Sequence, residues 1–262
     1  MEQYEKIAVM GLGSSGRVAV NDMNERGIEC VKLIVVEDGA LSLPLETSLA
    51  GTDMLFLAAA PGEEGFSQAI TYANTARKMG ILTFGLALVP QNYDMDGLKS
   101  FKDAVDAVMP ALNYEESSLV VKFVSDLINK AGFVNLDFVD IRTVLFKAGY
   151  VCTGAGAGAG ENRAEGAARN ALRALSKYTS PENVAKIIMG ISSGPDVRLV
   201  EIAYASDILT GAVAPDARVV WAQTIDDSAG EKIEVRLLAA APSSFVPYSQ
   251  EATTRLLSRL SR

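Results

Sequence analysis

The chain has 262 residues, 24 Lys+Arg against 32 Asp+Glu, a formal net charge of −8 and no histidine. With 49% hydrophobic and 21% charged residues it suits a soluble globular protein of one large domain or two ordinary ones. Without histidine, Ser-His and Cys-His catalysis and His-ligated metal sites are excluded; the acidic balance argues against nucleic acid as a partner, because neutralising phosphates needs a basic surface.

Taken in chain order, Lys6–Met10 reads as a buried strand stopped at Gly11. A helix carrying Val18, Val20 and Met23 follows and ends near Gly27, and Val31–Val36 is a second strand closed by Glu37 and Asp38. Strand, glycine turn, helix, strand is a βαβ unit. Further strands are expected at Met54–Ala60, Ile81–Leu88 and around Val108, with helices at Phe66–Met79 and near Leu98–Val105. This alternation implies a parallel sheet covered on both faces. Leu119, Phe123, Val124, Leu127 and Ile128 recur at helical spacing, which predicts one long helix over Glu115–Lys130. A loop at Gly132–Asp137 and a helix from Phe138 come next. The run Gly154–Gly160 looks like brief low complexity leading into a helix over Arg163–Ser176. Strands at Ala185–Ile191, Val219–Gln223 and Lys232–Ala239, with a helix at Val200–Ala212, suggest a second, α+β domain.

Cys30 and Cys152 lie far apart in apolar stretches that read as core, which gives no disulfide framework and favours a reduced, cytoplasmic setting. No apolar run reaches the ~18–20 residues of a membrane span, and Met1–Lys6 lacks the basic start of a secretory signal. The last residues, 243–262, read as a tail. Its Arg255, Leu256, Leu257, Arg259, Leu260 and Arg262 form a short basic amphipathic segment, weakly suggesting contact with an anionic membrane or a partner. Docking on its own domain, with Phe245 and Tyr248 as anchors, is the competing expectation.

Gly11, Gly13 and Gly16 form a G-x-G-x-x-G between strand and helix, a spacing that lets backbone N–H groups and a helix N-terminus approach a phosphate. Glu37 falls where a dinucleotide fold places its ribose-binding acid. The alternative is that the glycines only permit a tight turn. A dinucleotide-binding Rossmann protein therefore stays open, although nothing further along the chain offers hydride chemistry or a second glycine-rich pocket.

Gly132-Phe133-Val134-Asn135-Leu136-Asp137-Phe138-Val139-Asp140-Ile141-Arg142 closely resembles the catalytic loop of FtsZ, the tubulin-like GTPase of bacterial cell division. Gly154-x-Gly156-x-x-x-Gly160-Glu161-x-Arg163-Ala164, Gly194-Pro195-Asp196-Val197-Arg198-Leu199 and Trp221-Ala222-Gln223-Thr224-Ile225-Asp226 extend the resemblance over about residues 118–241. It implies a tubulin/FtsZ-like α/β fold. A Rossmann-like nucleotide-binding domain would occupy 1–113, a central connecting helix and loop 114–134, an FtsZ-like C-terminal domain 135–242 and a tail 243–262. By resemblance, Gly11, Gly13, Ser14, Ser15 and Gly16 form the first phosphate loop, and Gly62 and Gly65 belong to the second. Asp137 and Asp140 would act in trans on a neighbour's nucleotide, with Asn135 joining them at the interface. The same residues have a bland reading, in which Asp137 caps the helix from Phe138 and Asp140 sits in its first turn.

The departures from the family concentrate on the nucleotide side. Ser14, Ser15 and Arg17 replace a nearly all-glycine turn, Val18 stands where an Asn reads guanine, and Tyr114 and Glu115 stand where Asn and Asp do so. The stretches after Asp38 and after Pro110 are too short for the family's remaining nucleotide contacts. Glu63 and Glu64 fall where a triphosphate would lie. A like-charge pair at ~4 Å costs about 4 kcal/mol at an effective dielectric near 20. A helix dipole returns only ~0.3–1 kcal/mol. The expectation is an FtsZ-like assembly or division-associated protein, without GTP hydrolysis and with weak or absent GTP binding, partnered by itself or an intact FtsZ-type protein. No metal or cofactor is expected. An active FtsZ-family GTPase with an altered pocket, using GTP with Mg²⁺, is the alternative.

Overall fold

The protein is represented by a computed structural model that describes residues 6–36, 41, 43–90 and 93–240. Glu37 and Asp38, the tail 243–262 and its anchors Phe245 and Tyr248 lie outside the described residues. The chain divides into two compact units: one runs to Ser125 and includes Leu145–Tyr150, the other takes Asp126–Val144 and the chain from Val151.

The first unit is built on β1 (Ile7–Gly11), β2 (Lys32–Val35), β3 (Met54–Ala59), β4 (Leu82–Leu88) and β5 (Ala107–Ala111), all parallel in the order β2-β1-β3-β4-β5. Gly149 and Tyr150, which open β6 (Gly149–Gly158), pair in parallel with Ala107 and Val108. Helix α1 (Gly13–Glu25) follows β1 and α3 (Glu64–Lys78) follows β3. Between them lies α2 (Leu45–Ser48), a four-residue helix that the apolar periodicity is too short to reveal. The predicted helix near Leu98 begins as a 3-10 turn at Met95–Leu98 and continues as α4 (Lys99–Ala104). The three central strands β1, β3 and β4 are buried along their whole length, which is why they read as unbroken apolar runs. Helix α5 (Tyr114–Asn129) starts in this unit, and its first turn is capped by the Asn113 side chain accepting the Glu116 N–H at 2.8 Å.

In the second unit β6, from Val151 on, runs antiparallel to β9 (Ile233–Ala240); β9 is antiparallel to β7 (Lys186–Ser193), which is parallel to β8 (Arg218–Ile225). Helices α6 (Phe138–Leu145), α7 (Arg163–Leu175) and α8 (Leu199–Ala212) complete it. The apparent low complexity at Gly154–Gly160 is instead mostly strand. In β6 the glycines at 154, 156 and 158 share one face, buried or half-buried, and the alanines between them are exposed. A Cβ on Gly156 would run into the Ala171 backbone of α7, so glycine is needed for helix and strand to touch. Facing that strip, α7 buries Ala164, Ala167, Ala168 and Ala171.

Of the two cysteines, Cys152 is buried on β6 and burial pushes its thiol up to about 12. Cys30 corrects the expectation of a core residue. It is exposed, at φ 59° in the turn between α1 and β2, where the chain reverses direction before the apolar run begins. No helix among the described residues is long and apolar enough to cross a membrane.

Candidate functional site

Strand order 2-1-3-4-5 has its topological switch between β1 and β3, and the carboxyl ends of those strands are where open α/β sheets form ligand crevices. Gly11 ends β1 opposite Ala58 of β3. The turn into α1 and the turn into α3 therefore meet. Gly13 takes φ +72°, a left-handed conformation, and α1 begins there. Side chains at Gly11, Gly16 or Gly65 would clash with Gly16 carbonyl, Ala58 carbonyl and Gly13 amide atoms respectively. These glycines are accounted for by the close approach of the two turns. Gly62, at φ +87°, makes the turn before α3 and faces open space.

The structure brings Glu63 into the turn that the sequence assigns to phosphate. Its carboxylate accepts the Ser14 Oγ–H at 2.9 Å, the Ser15 N–H at 3.1 Å and the Ser15 Oγ–H. Burial on its own would raise this carboxyl, but the hydrogen bonds from Ser15 and Ser14 outweigh it and hold it below the ordinary value. Glu64, in contrast, points into solvent at the start of α3. Beside the pair lies a cavity of about 630 Å³ bounded by Gly13, Ser14, Arg17, Glu63, Glu64 and Gly65. The Ser14 hydroxyl and both Ser15 donors, groups of the kind a phosphate would use, are thus committed to an internal carboxylate. Val18 is exposed on α1. Of the residues at the guanine-reading positions, Tyr114 is half-buried and Glu115 is exposed with its carboxylate 3.8 Å from Arg26. Arg26 also pairs with Asp22 at 2.6 Å, and Asp22 accepts the Ser118 hydroxyl at 2.7 Å.

The loop Gly132–Asp137 belongs to the second unit. Gln223, fully buried on β8, accepts the Phe133 N–H at 3.0 Å through its side chain and donates its own backbone N–H to Val134 at 2.9 Å. Its amide nitrogen donates to Ser193 Oγ at 3.0 Å and the Thr224 carbonyl at 2.9 Å. Every polar atom of this side chain is therefore used, which is what a buried amide requires. At the far end of the loop Asp137 accepts the Asp140 N–H at 2.9 Å, and Asp140 accepts the Asp137 N–H at 3.2 Å. This is a reciprocal cap on α6. Asn135 and Asp137 are exposed, as are Phe133 and Val139 beside them.

Sequence reasoning missed the cluster that ties the family-like motifs together. Arg163, buried at the start of α7, bonds Glu201 twice, at 2.8 and 3.2 Å, as well as Asp196 at 2.7 Å and the Glu231 carbonyl at 3.0 Å. The Arg163 hydrogen bond holds the Glu201 carboxyl down to about 2 despite its burial, and Arg198 adds further bonds. The signal was present in the quoted motifs, which contain Arg163, Asp196 and Arg198, but the partner Glu201 falls just past them. Among the described residues no group of three His, Cys, Asp or Glu could hold a metal ion.

Residues 149–241 match the FtsZ family, C-terminal domain. The whole fold is similar to that of an empty FtsZ dimer from M. jannaschii, with TM-score 0.77 and 20% identity over 93% of this chain and 90% of that one. It is also similar to a GDP-bound CetZ1 monomer from Haloferax volcanii, with TM-score 0.70 and 14% identity over 97% of this chain and 99% of that one. TubZ of Bacillus thuringiensis serovar israelensis, in GDP-form protofilaments, gives TM-score 0.64 and 11% identity over 98% and 94%.

Proposed function

We propose, on the premise of an FtsZ-like chain with the tubulin/FtsZ fold, that this protein is a cytoskeletal or division-associated assembly protein that works without hydrolysing GTP. Its partner is a second copy of itself or an intact FtsZ-type protein, and the docking face is the one carrying Asn135, Asp137 and Asp140. The observation that carries this reading is the loop itself, kept in a defined shape by Gln223 and by the Asp137–Asp140 cap while its outer residues stay exposed. Leu199 and Val200 open α8 just beyond β7, whose last residue Ser193 is bonded to Gln223. They and Val139 are strongly exposed apolar residues of this unit, at 68%, 65% and 65%. That FtsZ and TubZ neighbours are recorded as a dimer and as protofilaments supports the choice of self-association. Weak or absent GTP binding is supported by Val18, Tyr114 and Glu115 at the guanine positions and by the carboxylate in the first turn. Co-sedimentation of the full chain, alone and with an FtsZ-type partner, with and without GTP and Mg²⁺, is the test. Pelleting that does not depend on GTP is expected. Pelleting only with GTP, or none under any condition, overturns it.

A further inference from the structure

The resemblance implies a nucleotide phosphate at the Gly11–Gly16 turn, and the residues there do not suit one. We propose that Glu63 is the resident anion of this turn, a tethered carboxylate that takes the place of a phosphate and closes an otherwise competent oxyanion site.

Position supports this first. Glu63 reaches the carboxyl end of β1 at the switch between β1 and β3, where this sheet topology forms its ligand crevice. Donor chemistry supports it next: a backbone N–H and the hydroxyls of Ser14 and Ser15 converge on one carboxylate, the donor types that hold a phosphate oxygen. Space is not what keeps a ligand out, because the cavity of about 630 Å³ beside the turn is larger than a phosphate needs and Arg17 lines it. What stands in the way is that the Ser14 hydroxyl and both Ser15 donors are already taken by Glu63. Glu63 is also fixed in place, as the residue that precedes α3, with Gly65 packed against the Gly13 backbone. A group held so close competes at a high effective concentration against any free anion. The turn is thereby ordered with no ligand, and its state is set by the chain and not by a nucleotide. This inference rests on the nucleotide-independent reading above and names the residue responsible for it.

The test titrates inorganic phosphate, at ionic strength matched with KCl, into full-length wild type, Glu63→Ala and Glu63→Gln, following thermal unfolding and heat of binding. Glu25→Gln, on the opposite end of α1, controls for the charge change. Both Glu63 variants are expected to bind phosphate at least about tenfold more tightly than wild type, with a saturable rise in melting temperature that wild type and Glu25→Gln lack. Equal response of wild type and the Glu63 variants, whether present or absent, overturns the proposal. Should neither variant fold, the Glu63 carboxyl is followed by carbon NMR in wild type: titration below the ordinary glutamate range supports the tethered anion, and ordinary titration overturns it. Sedimentation reports separately on assembly. A chain that pellets only with GTP sinks the assembly reading, whereas a chain that pellets without GTP while its Glu63 variants gain no phosphate sinks this one alone.

Discussion

In the second unit Arg163 brings Glu201, Asp196 and the Glu231 carbonyl together, so that the start of α7, the loop before α8 and the turn before β9 share one charged centre. In the first unit Glu63 joins two loops as well, but here its carboxylate oxygens, accepting from Ser14 and Ser15, stand where the resemblance puts a ligand's. Both are charged junctions between segments distant in sequence, one centred on a guanidinium and the other on a carboxylate. One carries residues that resemble the family, the other residues that depart from it. The difference separates two kinds of motif residue. Arg163, Asp196 and Gln223 hold the unit's own segments together, a role that needs no ligand. Ser14, Ser15 and Val18 stand where the resemblance puts nucleotide contacts, and there the residues depart from the family's pattern.

The largest effect should come from the Arg163 centre. Replacing Arg163 by Met leaves Glu201 buried without its bidentate partner, and breaking such a pair from one side costs about 3–5 kcal/mol. Urea unfolding of Arg163→Met should show that loss. A change below about 1 kcal/mol would mean that this cluster is no more than a surface network, and the contrast between units would fail.

The same centre has a pH signature. Glu201 has an ordinary value of 4.5 and is held at about 2 in the fold, chiefly by the Arg163 hydrogen bond. A depressed carboxyl stabilises fully above its unfolded value and loses that contribution as pH falls toward its folded value. Wild-type stability should therefore drop between about pH 4.5 and 2 by more than that of Glu201→Gln, measured by chemical unfolding at each pH. Parallel profiles for the two proteins would place the acid sensitivity elsewhere, with Asp22 and Glu63 the next candidates, since hydrogen bonds lower both.

Gln223 comes next. Its truncation to Ala orphans the Phe133 N–H and removes the clamp on the loop while leaving β8 paired with β7. A buried polar group left without a partner costs about 1–3 kcal/mol. Hydrogen exchange should rise in residues 131–137 beyond the global destabilisation. Uniform loosening across the second unit would show that Gln223 acts on the sheet and not on the loop.

The long apolar strands and amphipathic helices were legible because burial on both faces, or on one helical face, writes itself into the residue pattern. The strand Gly149–Gly158 was not, since its pairing is dictated by the space α7 leaves and glycine carries no strand propensity of its own. At the candidate site the sequence placed Glu63 beside the turn and suggested repulsion toward a phosphate. It could not reveal that Glu63 supplies the anion itself, because that depends on the register of β1 against β3 and on the reach of one side chain. The Arg163–Glu201 pair was hidden for the same reason: it joins residues 38 positions apart.

The smallest effect is the one that separates stability from association. Asp137 caps α6, and an Ala there should cost about 1 kcal/mol by removing the acceptor for the Asp140 N–H. Asn caps about as well as Asp, so Asp137→Asn should keep most of that stability while removing a charge from the exposed loop. If the face with Asn135, Asp137 and Asp140 docks a partner, Asp137→Asn should alter pelleting at nearly unchanged melting temperature. If both variants pellet like wild type, Asp137 is a cap and nothing more. The loop that resembles a catalytic one would then be kept, like Arg163 and Gln223, for the sake of the fold.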